Sequence, residues 1–395
     1  MKINYAVLKS SITPVNQEHI QKFLSDIENE GNFSLEKLDV AYYERSEFCL
    51  IYVMTGGTEG LFLENFESFS SKSCYLLTSG ESNSLAASME ILSYLKNRGY
   101  QGEILHGSPK RIADRINALY RADRAIQKIR GARVGTIGGS SDWLIDSEPD
   151  EEAYQNMLGI EMIHISMDEL VAEIHKGGYE SNQWTEKLLA LGYDRTEMEK
   201  ALDVYGAVKR IVEKYDLSAV TVRCFDLLTS VHTTGCLALS ILNAEGIYAG
   251  CEGDMPSLIS MMILGEIAQQ PVFMCNLNRI DTEKSELIFA HCTLPANMPY
   301  EMSLTTHYES GIGVAIAGSI PEEDFTIFKI SSDFTQCFAS EGKIIENRRE
   351  PNLCRTQIKV SLSHYDYFLT NPIANHHVIC LGKHQKALED FYRAL

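Results

Sequence analysis

IYAGCEGDMPS, the sequence of residues 247–257, runs from an apolar segment through Gly250 into an acidic triplet and on to Pro256. Proline is favoured in the first turn of a helix and glycine permits tight turns, so this order predicts a strand, a turn and a helix start. Open α/β sheets place their ligands at the carboxyl ends of their strands. The stretch therefore makes Glu252 and Asp254 candidates for a metal or acid/base site. The competing interpretation is an ordinary polar loop in which the aspartate caps the helix.

The chain before this stretch alternates between strand and helix patterns. Continuous apolar runs predict buried strands at residues 48–54, 74–78, 134–137 and 218–223. Helical periodicity predicts a helix over residues 84–97, and a longer helical stretch at 111–130 is expected to connect two domains. Since Gly- and Ser-rich turns separate these segments, we predict two Rossmann-like α/β domains, at residues 1–130 and 131–268.

After Pro271 the pattern changes to short strands separated by turn residues. Such a series is typical of an antiparallel sheet or barrel. We therefore predict a mostly antiparallel, barrel-like β domain over residues 269–395. The acidic stretch lies just before the junction of the second and third domains, and domain junctions are favoured places for ligand pockets.

Size and charge narrow the class of protein. With 395 residues, 45% of them hydrophobic, the chain can form two or three cores of ordinary domain size. The formal net charge of −19 argues against nucleic acid as a partner, because lysine and arginine carry the affinity for phosphates. It argues equally against an anionic membrane surface. A small neutral substrate or a metal cation fits this charge better.

The cysteines indicate a reducing compartment. The ten cysteines occur singly and form no CxxC pair, which argues against a zinc ribbon or a thioredoxin-like motif. Many lie in apolar runs and are interpreted as buried small hydrophobic residues. No apolar run is long enough to cross a bilayer, and the amino terminus lacks a long apolar segment. The cytoplasm is therefore the predicted location.

Polar features at or near the ends of predicted strands form a candidate metal site: the Glu252/Asp254 pair, Asn276, His291 and the His376-His377 pair. A carboxylate, imidazoles and an amide oxygen suit a borderline divalent cation such as Mn²⁺ better than an all-oxygen Ca²⁺ cage. Each feature has an ordinary alternative, since a histidine beside an apolar run is commonly a hydrogen-bonded core residue. The loop GTIGGS (135–140) is interpreted as a plain turn, because it lacks the full dinucleotide-binding fingerprint and the P-loop lysine.

Several segments also agree, in order, with one known group of enzymes. Around the candidate metal site they are GCEGDMPSLISMMIL (250–264), PVFMCN (271–276), AHCTLP (290–295) and ANHHVICLGKH (374–384). Elsewhere they are VMTGGTEG (53–60), SGESNSLAASMEIL (79–92), KRIADRINAL (110–119), VGTIGGSSDWL (134–144), LTTHYESGIGVAIAG (304–318) and LCRTQIKV (353–360). In these segments the chain resembles the L-fucose and L-arabinose isomerase superfamily, in particular its short, L-fucose-isomerase-like members. The resemblance covers nearly the whole chain.

This resemblance implies a Mn²⁺-dependent aldose–ketose isomerase that works through a cis-enediol. The implied substrate is a sugar such as L-fucose, an arabinose or sulfoquinovose. Glu252 corresponds to a metal ligand that is also an acid/base group. His291 and His376 correspond to further ligands, with His377 as the alternative to His376.

One position departs from the pattern of the superfamily. Asn276 stands where a second carboxylate is expected, and an amide binds a metal through its oxygen but cannot take up a proton. The second proton-transfer group is therefore left open between Asp254, His307 and a metal-bound water. The residues predicted to bind substrate are His307, Glu309 and Arg355.

Other implications concern charge and assembly. A sulfonated sugar needs a basic partner, for which Arg355 and Arg279 are candidates, although Arg355 is as readily explained by a salt bridge. Amino-terminal residues often complete a neighbouring subunit's site in this superfamily, so Thr58 and Glu59 are predicted to act in trans within a homo-oligomer. The alternative function is a non-catalytic sugar-binding or regulatory protein, with which Asn276 is consistent. Only the isomerase needs a carboxylate and histidines that converge on one metal ion.

Overall fold

The structure is a computed structural model that describes residues 1–395 and divides into two units, Met1–Asp123 and Arg124–Leu395. The first unit contains one parallel sheet, and the second contains a parallel sheet and an antiparallel barrel. The predicted fold class, two Rossmann-like α/β domains followed by a mostly antiparallel β domain, is confirmed. The main sheets fall within residues 1–130, 131–268 and 269–395, and these domain boundaries remain predictions.

The first unit is built on five parallel strands: β1 (Lys2–Leu8), β2 (Ser34–Lys37), β3 (Cys49–Val53), β4 (Cys74–Leu77) and β5 (Gly102–Leu105). The helices that begin in this unit are α1 (Gln17–Gly31), α2 (Glu59–Glu64), α3 (Phe66–Phe69), α4 (Ser84–Lys96) and α5 (Pro109–Ile129). The strand order is β2-β1-β3-β4-β5. Every residue of the central strand β3 is buried, which explains its continuous apolar sequence.

The second sheet consists of four parallel strands: β6 (Arg133–Ile137), β7 (Glu161–Ile165), β8 (Ala219–Val222) and β9 (Tyr248–Cys251). Its helices are α6 (Glu151–Leu158), α7 (Met167–Lys176), α8 (Gln183–Leu189), α9 (Arg195–Tyr215), α10 (Asp226–Ser230), α11 (Cys236–Ala244) and α12 (Met255–Ala268). The strand order is β7-β6-β8-β9. The strand, turn and helix start predicted for residues 247–257 are confirmed, because β9 ends at Cys251 and α12 begins at Met255.

The remaining strands are β10 (Phe273–Asp281), β11 (Glu286–His291), β12 (Glu301–Thr305), β13 (Ala315–Ser319), β14 (Asp324–Ile330), β15 (Cys337–Arg348), β16 (Thr356–Ser361) and β17 (His376–Leu381). Six of them close an antiparallel barrel in the order β10-β11-β16-β15-β14-β17, and β12 pairs with β13 separately. Two helices complete this region, α13 (Asp366–Thr370) and α14 (Gln385–Ala394).

Helix α12 connects the second sheet to the barrel. All of its residues except Glu266 are buried, and it packs against β9, β14 and β17. A helix that is apolar on all sides is expected in such a position between two layers. None of the helices in this chain combines the length and the apolar character needed to cross a membrane.

The register of the barrel gathers the predicted site residues. Strand β10 pairs with both β11 and β17, so Asn276 stands opposite Ala290 on one side and His376 on the other. His291, the last residue of β11, follows Ala290 directly. The carboxyl end of β9 meets the same end of the barrel, because Asp254 at the start of α12 hydrogen-bonds to His376.

Candidate functional site

Glu252 lies in a tight turn directly after β9. Its φ of +63° is a left-handed conformation that residues other than glycine seldom adopt. The next residue must be glycine, because a Cβ added to Gly253 would lie 1.9 Å from the carbonyl oxygen of Gly139. The backbone N–H of Ser141 donates to the carbonyl oxygen of Glu252 at 2.9 Å. The glycine-rich loop after β6 is therefore a turn that packs on the turn carrying Glu252.

The Glu252 side chain is buried and held from two directions. The indole Nε1–H of Trp143 donates to its Oε2 at 2.6 Å, and Nε2 of His376 lies 3.5 Å from its Oε1. Burial alone would raise the pKa of this carboxyl. The hydrogen bonds and the charges of His376 and His291 outweigh burial and lower the pKa of Glu252 to about 2. The carboxylate is thus ionised and able to bind a cation or accept a proton.

Asp254 is completely buried and has every carboxylate oxygen engaged. Its Oδ1 accepts the backbone N–H of Ser257 at 2.8 Å, which caps α12, and its Oδ2 accepts Nδ1–H of His376 at 2.9 Å. Nζ of Lys329, also completely buried, lies 3.6 Å from Oδ1. Although burial opposes ionisation, Lys329 and His376 hold the pKa of Asp254 well below its ordinary value. The cap interpretation is therefore confirmed, and the same carboxylate also contacts His376.

His376 is oriented by Asp254 so that its other nitrogen faces Glu252. With Nδ1 donating to Asp254, Nε2 is buried without a hydrogen-bond partner. Burial would lower the pKa of this imidazole, but the two neighbouring carboxylates raise it to about 9. A carboxylate that fixes the orientation of an imidazole is the arrangement found behind metal-ligating histidines.

His377 contacts a different set of groups. Its Nε2 hydrogen-bonds with the hydroxyl of Tyr367 at 2.9 Å, and its ring packs against Phe338 and Phe368. Burial lowers the pKa of His377 to about 3. Successive residues of a strand point to opposite faces, so only one histidine of the pair can face Glu252. The structure places His376 there.

His291 at the end of β11 and an unpredicted residue, Cys251 at the end of β9, lie close to Glu252. One ligand atom from each of these three buried residues lies within 4.8 Å of the other two. Nδ1 of His291 hydrogen-bonds with the hydroxyl of Thr293 at 2.8 Å, and burial lowers the pKa of His291 to about 4. The sulfur of Cys251 lies 3.0 Å from that of Cys224. This hydrogen bond and burial raise the pKa of the Cys251 thiol well above its ordinary value.

A cavity of about 470 Å³ opens beside Glu252. Its lining combines aromatic, amide and carboxylate side chains with a few apolar ones: Trp143, Phe225, Tyr308, Asn276, Asn278, Asn352, Asn375, Glu252, Glu309, Leu277, Leu353 and Cys354. Aromatic faces and convergent amides suit a small polyhydroxylated ligand, since they offer apolar contact together with hydrogen bonds. The amide oxygen of Asn276 accepts from the side chain of Asn375 at 3.4 Å.

The predicted substrate-binding residues divide into two groups. Glu309 lines the cavity, and buried His307 lies behind its wall, with its ring 5.5 Å from that of Phe225. Arg355 does not line the cavity; its Nε donates to the carbonyl oxygen of Thr306 at 2.8 Å. Its guanidinium also lies 5.6 Å from the ring centre of Tyr308, a cavity residue. Arg355 thus reaches the cavity only indirectly.

Three more predicted residues form contacts within their own units. Arg279 forms an ion pair with Glu350. Thr58 and Glu59 belong to the first unit, where the buried hydroxyl of Thr58 donates to the carbonyl oxygen of Thr55 at 3.0 Å and Glu59 begins α2. Their action in a neighbouring subunit's site stays a prediction.

The sequence analysis missed three residues of this site: Trp143, Cys251 and Lys329. Lys329 had a usable signal, because it is the single lysine in the apolar strand β14 and a lysine buried there needs an anionic partner. Cys251 directly precedes Glu252, but the sequence analysis assigns it no individual role. Trp143 lies in a segment that resembles the isomerases, but nothing in that segment indicates a contact with Glu252.

Comparison with known proteins finds enzymes named sulfoquinovose isomerase. The chain is 23% identical over 264 residues to the one from Priestia aryabhattai, which covers 63% of this chain and 59% of the relative. It is 22% identical over 221 residues to the one from Alkalicoccus urumqiensis, which covers 53% of this chain and 49% of the relative. The chain thus spans between half and three-fifths of the length of these relatives. No family model matches the chain.

Proposed function

We propose that this chain is a metal-dependent aldose–ketose isomerase acting on a sugar. The observation that carries the proposal is the position of Glu252. Its ionised, buried carboxylate lines a cavity of about 470 Å³ and lies beside His291 and His376. The similarity to enzymes named sulfoquinovose isomerase supports the same reaction type. The assignment to the L-fucose and L-arabinose isomerase superfamily forms part of this proposal.

The residues fit a divalent cation. The buried Nε2 of His376 has no hydrogen-bond partner, and a ligand atom of His291 lies within 4.8 Å of one on Glu252. We propose Glu252, His291 and His376 as ligands, with Asn276 as a further oxygen donor on the neighbouring strand. When bound by these residues, a divalent cation would supply Lewis-acid polarisation of a substrate carbonyl oxygen and stabilisation of its developing negative charge.

Glu252 is proposed to move the carbon-bound proton. In the conversion of an aldose to a ketose, the proton leaves C2 and returns at C1, while the hydroxyl proton of O2 passes to O1. We assign the carbon-bound proton to Oε2 of Glu252, because the indole of Trp143 holds this oxygen at the cavity wall. A positioned acid/base group of this kind contributes about 10²–10⁴-fold to the rate.

Asp254 is proposed as a positioning residue. It is completely buried, and the Ser257 N–H, His376 and Lys329 occupy its oxygens. It therefore holds His376 in place, and the transfer between O1 and O2 falls to His307 or to a water molecule.

The identity of the sugar stays open between L-fucose, an arabinose and sulfoquinovose. Asn278, Asn352 and Glu309 on the cavity wall suit the hydroxyl groups of any of these sugars. For the sulfonate of sulfoquinovose we propose Arg355, whose guanidinium lies over the cavity residue Tyr308. Oligomerisation, with Thr58 and Glu59 acting in trans, remains part of the proposal.

The test is an aldose-to-ketose conversion assay with metal-stripped protein, with and without an added divalent cation. The panel contains L-fucose, arabinose, glucose and sulfoquinovose. Glu252→Gln keeps an acceptor for the indole of Trp143 but cannot take up the proton, so we expect it to lose about 10²–10⁴-fold in activity. Glu152→Gln, an exposed change in α6, serves as the matched control. Sugar binding without turnover of any sugar would instead support a non-catalytic sugar-binding protein. Asn276, whose amide cannot take up a proton, would then explain the lack of catalysis.

A further inference from the structure

We propose that the sulfur of Cys251 is a ligand of the metal held by Glu252, His291 and His376, and that it makes the site prefer Zn²⁺ to Mn²⁺. This inference rests on the metal site of the proposed function, and it is independent of which sugar the protein converts. The resemblance to the isomerases implies Mn²⁺ and gives the thiol no role.

The backbone explains how two consecutive residues reach one site. In an extended strand, Cys251 and Glu252 would point to opposite faces of the sheet. The left-handed φ of +63° at Glu252 ends this alternation and turns its side chain toward the space beside Cys251. As a result the sulfur of Cys251, a carboxylate oxygen of Glu252 and a ring nitrogen of His291 all lie within 4.8 Å of one another.

The surroundings of the sulfur also suit a ligand. Cys251 is 3% exposed, and its sulfur lies 3.0 Å from that of Cys224. A thiolate at Cys251 accepts the S–H of Cys224, and hydrogen bonds of this kind orient and tune metal ligands. When a cation binds, the thiol of Cys251 loses its proton to solvent and the sulfur binds as a thiolate.

The set of donor atoms then decides the choice of metal. One thiolate, one carboxylate and two imidazoles are ligands typical of Zn²⁺, whereas Mn²⁺ is favoured by carboxylate, carbonyl and water oxygens. The affinity order of divalent ions for a given site also places Zn²⁺ above Mn²⁺. Asn276 strengthens this preference, because it stands where a second carboxylate would have favoured Mn²⁺.

The experiment measures metal binding to the full chain, stripped of metal and kept in a reductant that does not bind metals. Co²⁺ reports directly on sulfur, because a thiolate ligand gives a charge-transfer absorption band in the near ultraviolet. We expect this band in the wild type and in Cys224→Ser, and its loss in Cys251→Ser. Cys337→Ser, a change at the start of β15, serves as the thiol control. Competition titrations are expected to show a Zn²⁺ affinity at least about 100-fold lower in Cys251→Ser, since even supporting residues behind ligands contribute about 10–100-fold.

Two results would overturn the inference: absence of the Co²⁺ band from the wild type, or its persistence in Cys251→Ser. The wild-type spectrum is decisive even where Cys251→Ser does not fold. Tight Zn²⁺ binding through Cys251 without turnover of any sugar leaves the inference standing and removes the proposed function. Turnover of a sugar with Mn²⁺, in a protein that shows no thiolate band, would overturn the inference and leave the proposed function standing.

Discussion

Replacing Lys329 with methionine is expected to destabilise the second unit by about 3 kcal/mol. The lysine and Asp254 are both completely buried, with Nζ 3.6 Å from Oδ1, and Nζ also donates to the Ser257 hydroxyl at 2.6 Å. Methionine is similar in size, so the substitution removes the cation and leaves the carboxylate in place. Breaking a buried ion pair by removing one partner costs about 3–5 kcal/mol. The lower end applies here, because Asp254 keeps His376 and the Ser257 N–H.

Substituting the other partner, Asp254, separates the contribution of the ion pair from that of each residue alone. Asp254→Asn is expected to cost about 5 kcal/mol, because the Lys329 ammonium then keeps only a hydrogen bond to the neutral Ser257 hydroxyl and the more distant charge of Asp146. Asparagine caps helices as well as aspartate does, so the loss of the charge dominates. The double variant removes both charges and is expected to lose about 3 kcal/mol, well below the sum of the single losses.

Guanidinium unfolding followed by tryptophan fluorescence measures these losses in the relevant part of the chain. Both tryptophans, Trp143 and Trp184, belong to the second unit, so the signal reports on that unit. Lys383→Met is the control: it removes an exposed ion pair with Asp324 at 3.2 Å and is expected to cost less than about 1 kcal/mol. If the loss of unfolding free energy in the double variant equalled the sum of the two single losses, the coupling between Lys329 and Asp254 would be refuted. A loss in Lys329→Met no larger than that of the control would refute it as well.

Three further predictions concern the site itself. Trp143→Phe keeps an aromatic ring but removes the 2.6 Å hydrogen bond to Glu252, so kcat/KM is expected to fall about 10–100-fold, while Trp184→Phe leaves it unchanged. His376→Gln is expected to lower the Zn²⁺ affinity by about 100-fold in competition titrations. An effect of the same size in His377→Gln would show that His376 is the wrong histidine of the pair. In metal-stripped protein, the pKa of His376 is raised to about 9, so its stabilising contribution is present below its ordinary pKa of about 6.5 and is lost as the pH rises toward 9. The difference in unfolding free energy between wild type and His376→Gln is therefore expected to shrink over that interval, and a constant difference would contradict the assignment.

Local patterns were sufficient to predict the elements that carry the site. The order of apolar residues, glycine, acidic residues and proline at 247–257 specifies β9, the turn and α12 through backbone preferences that act over a few residues. The same holds for the barrel, whose short strands and turns follow from local alternation. These features depend on neighbours in sequence, which explains why sequence alone reveals them.

The contacts that give each side chain its role depend on residues distant in sequence. Asp254 combines a helix cap with the orientation of His376 because Lys329 and His376 lie 75 and 122 residues further along the chain and fold back onto it. The choice between His376 and His377 depends on the face that β17 turns toward α12, which the dipeptide does not encode. Neither the contact of Trp143 with Glu252 nor the position of Arg355 behind the cavity wall leaves a local pattern.

The charge of the proposed metal site would link the departure at Asn276 to the presence of Cys251. Glu252 supplies one negative charge, and the histidines bind metals as neutral imidazoles. Asp254 does not add to this charge, because Lys329 neutralises it across 3.6 Å. A divalent cation with one anionic ligand would leave a net positive charge in a buried site, which is unfavourable without compensation. As a ligand, a Cys251 thiolate would supply the second negative charge that a carboxylate at position 276 would have given. In the proposed site, Asn276 would therefore lack a hard anionic oxygen, the Cys251 thiolate would supply the missing charge with a soft sulfur, and the preferred cation would be Zn²⁺ rather than Mn²⁺.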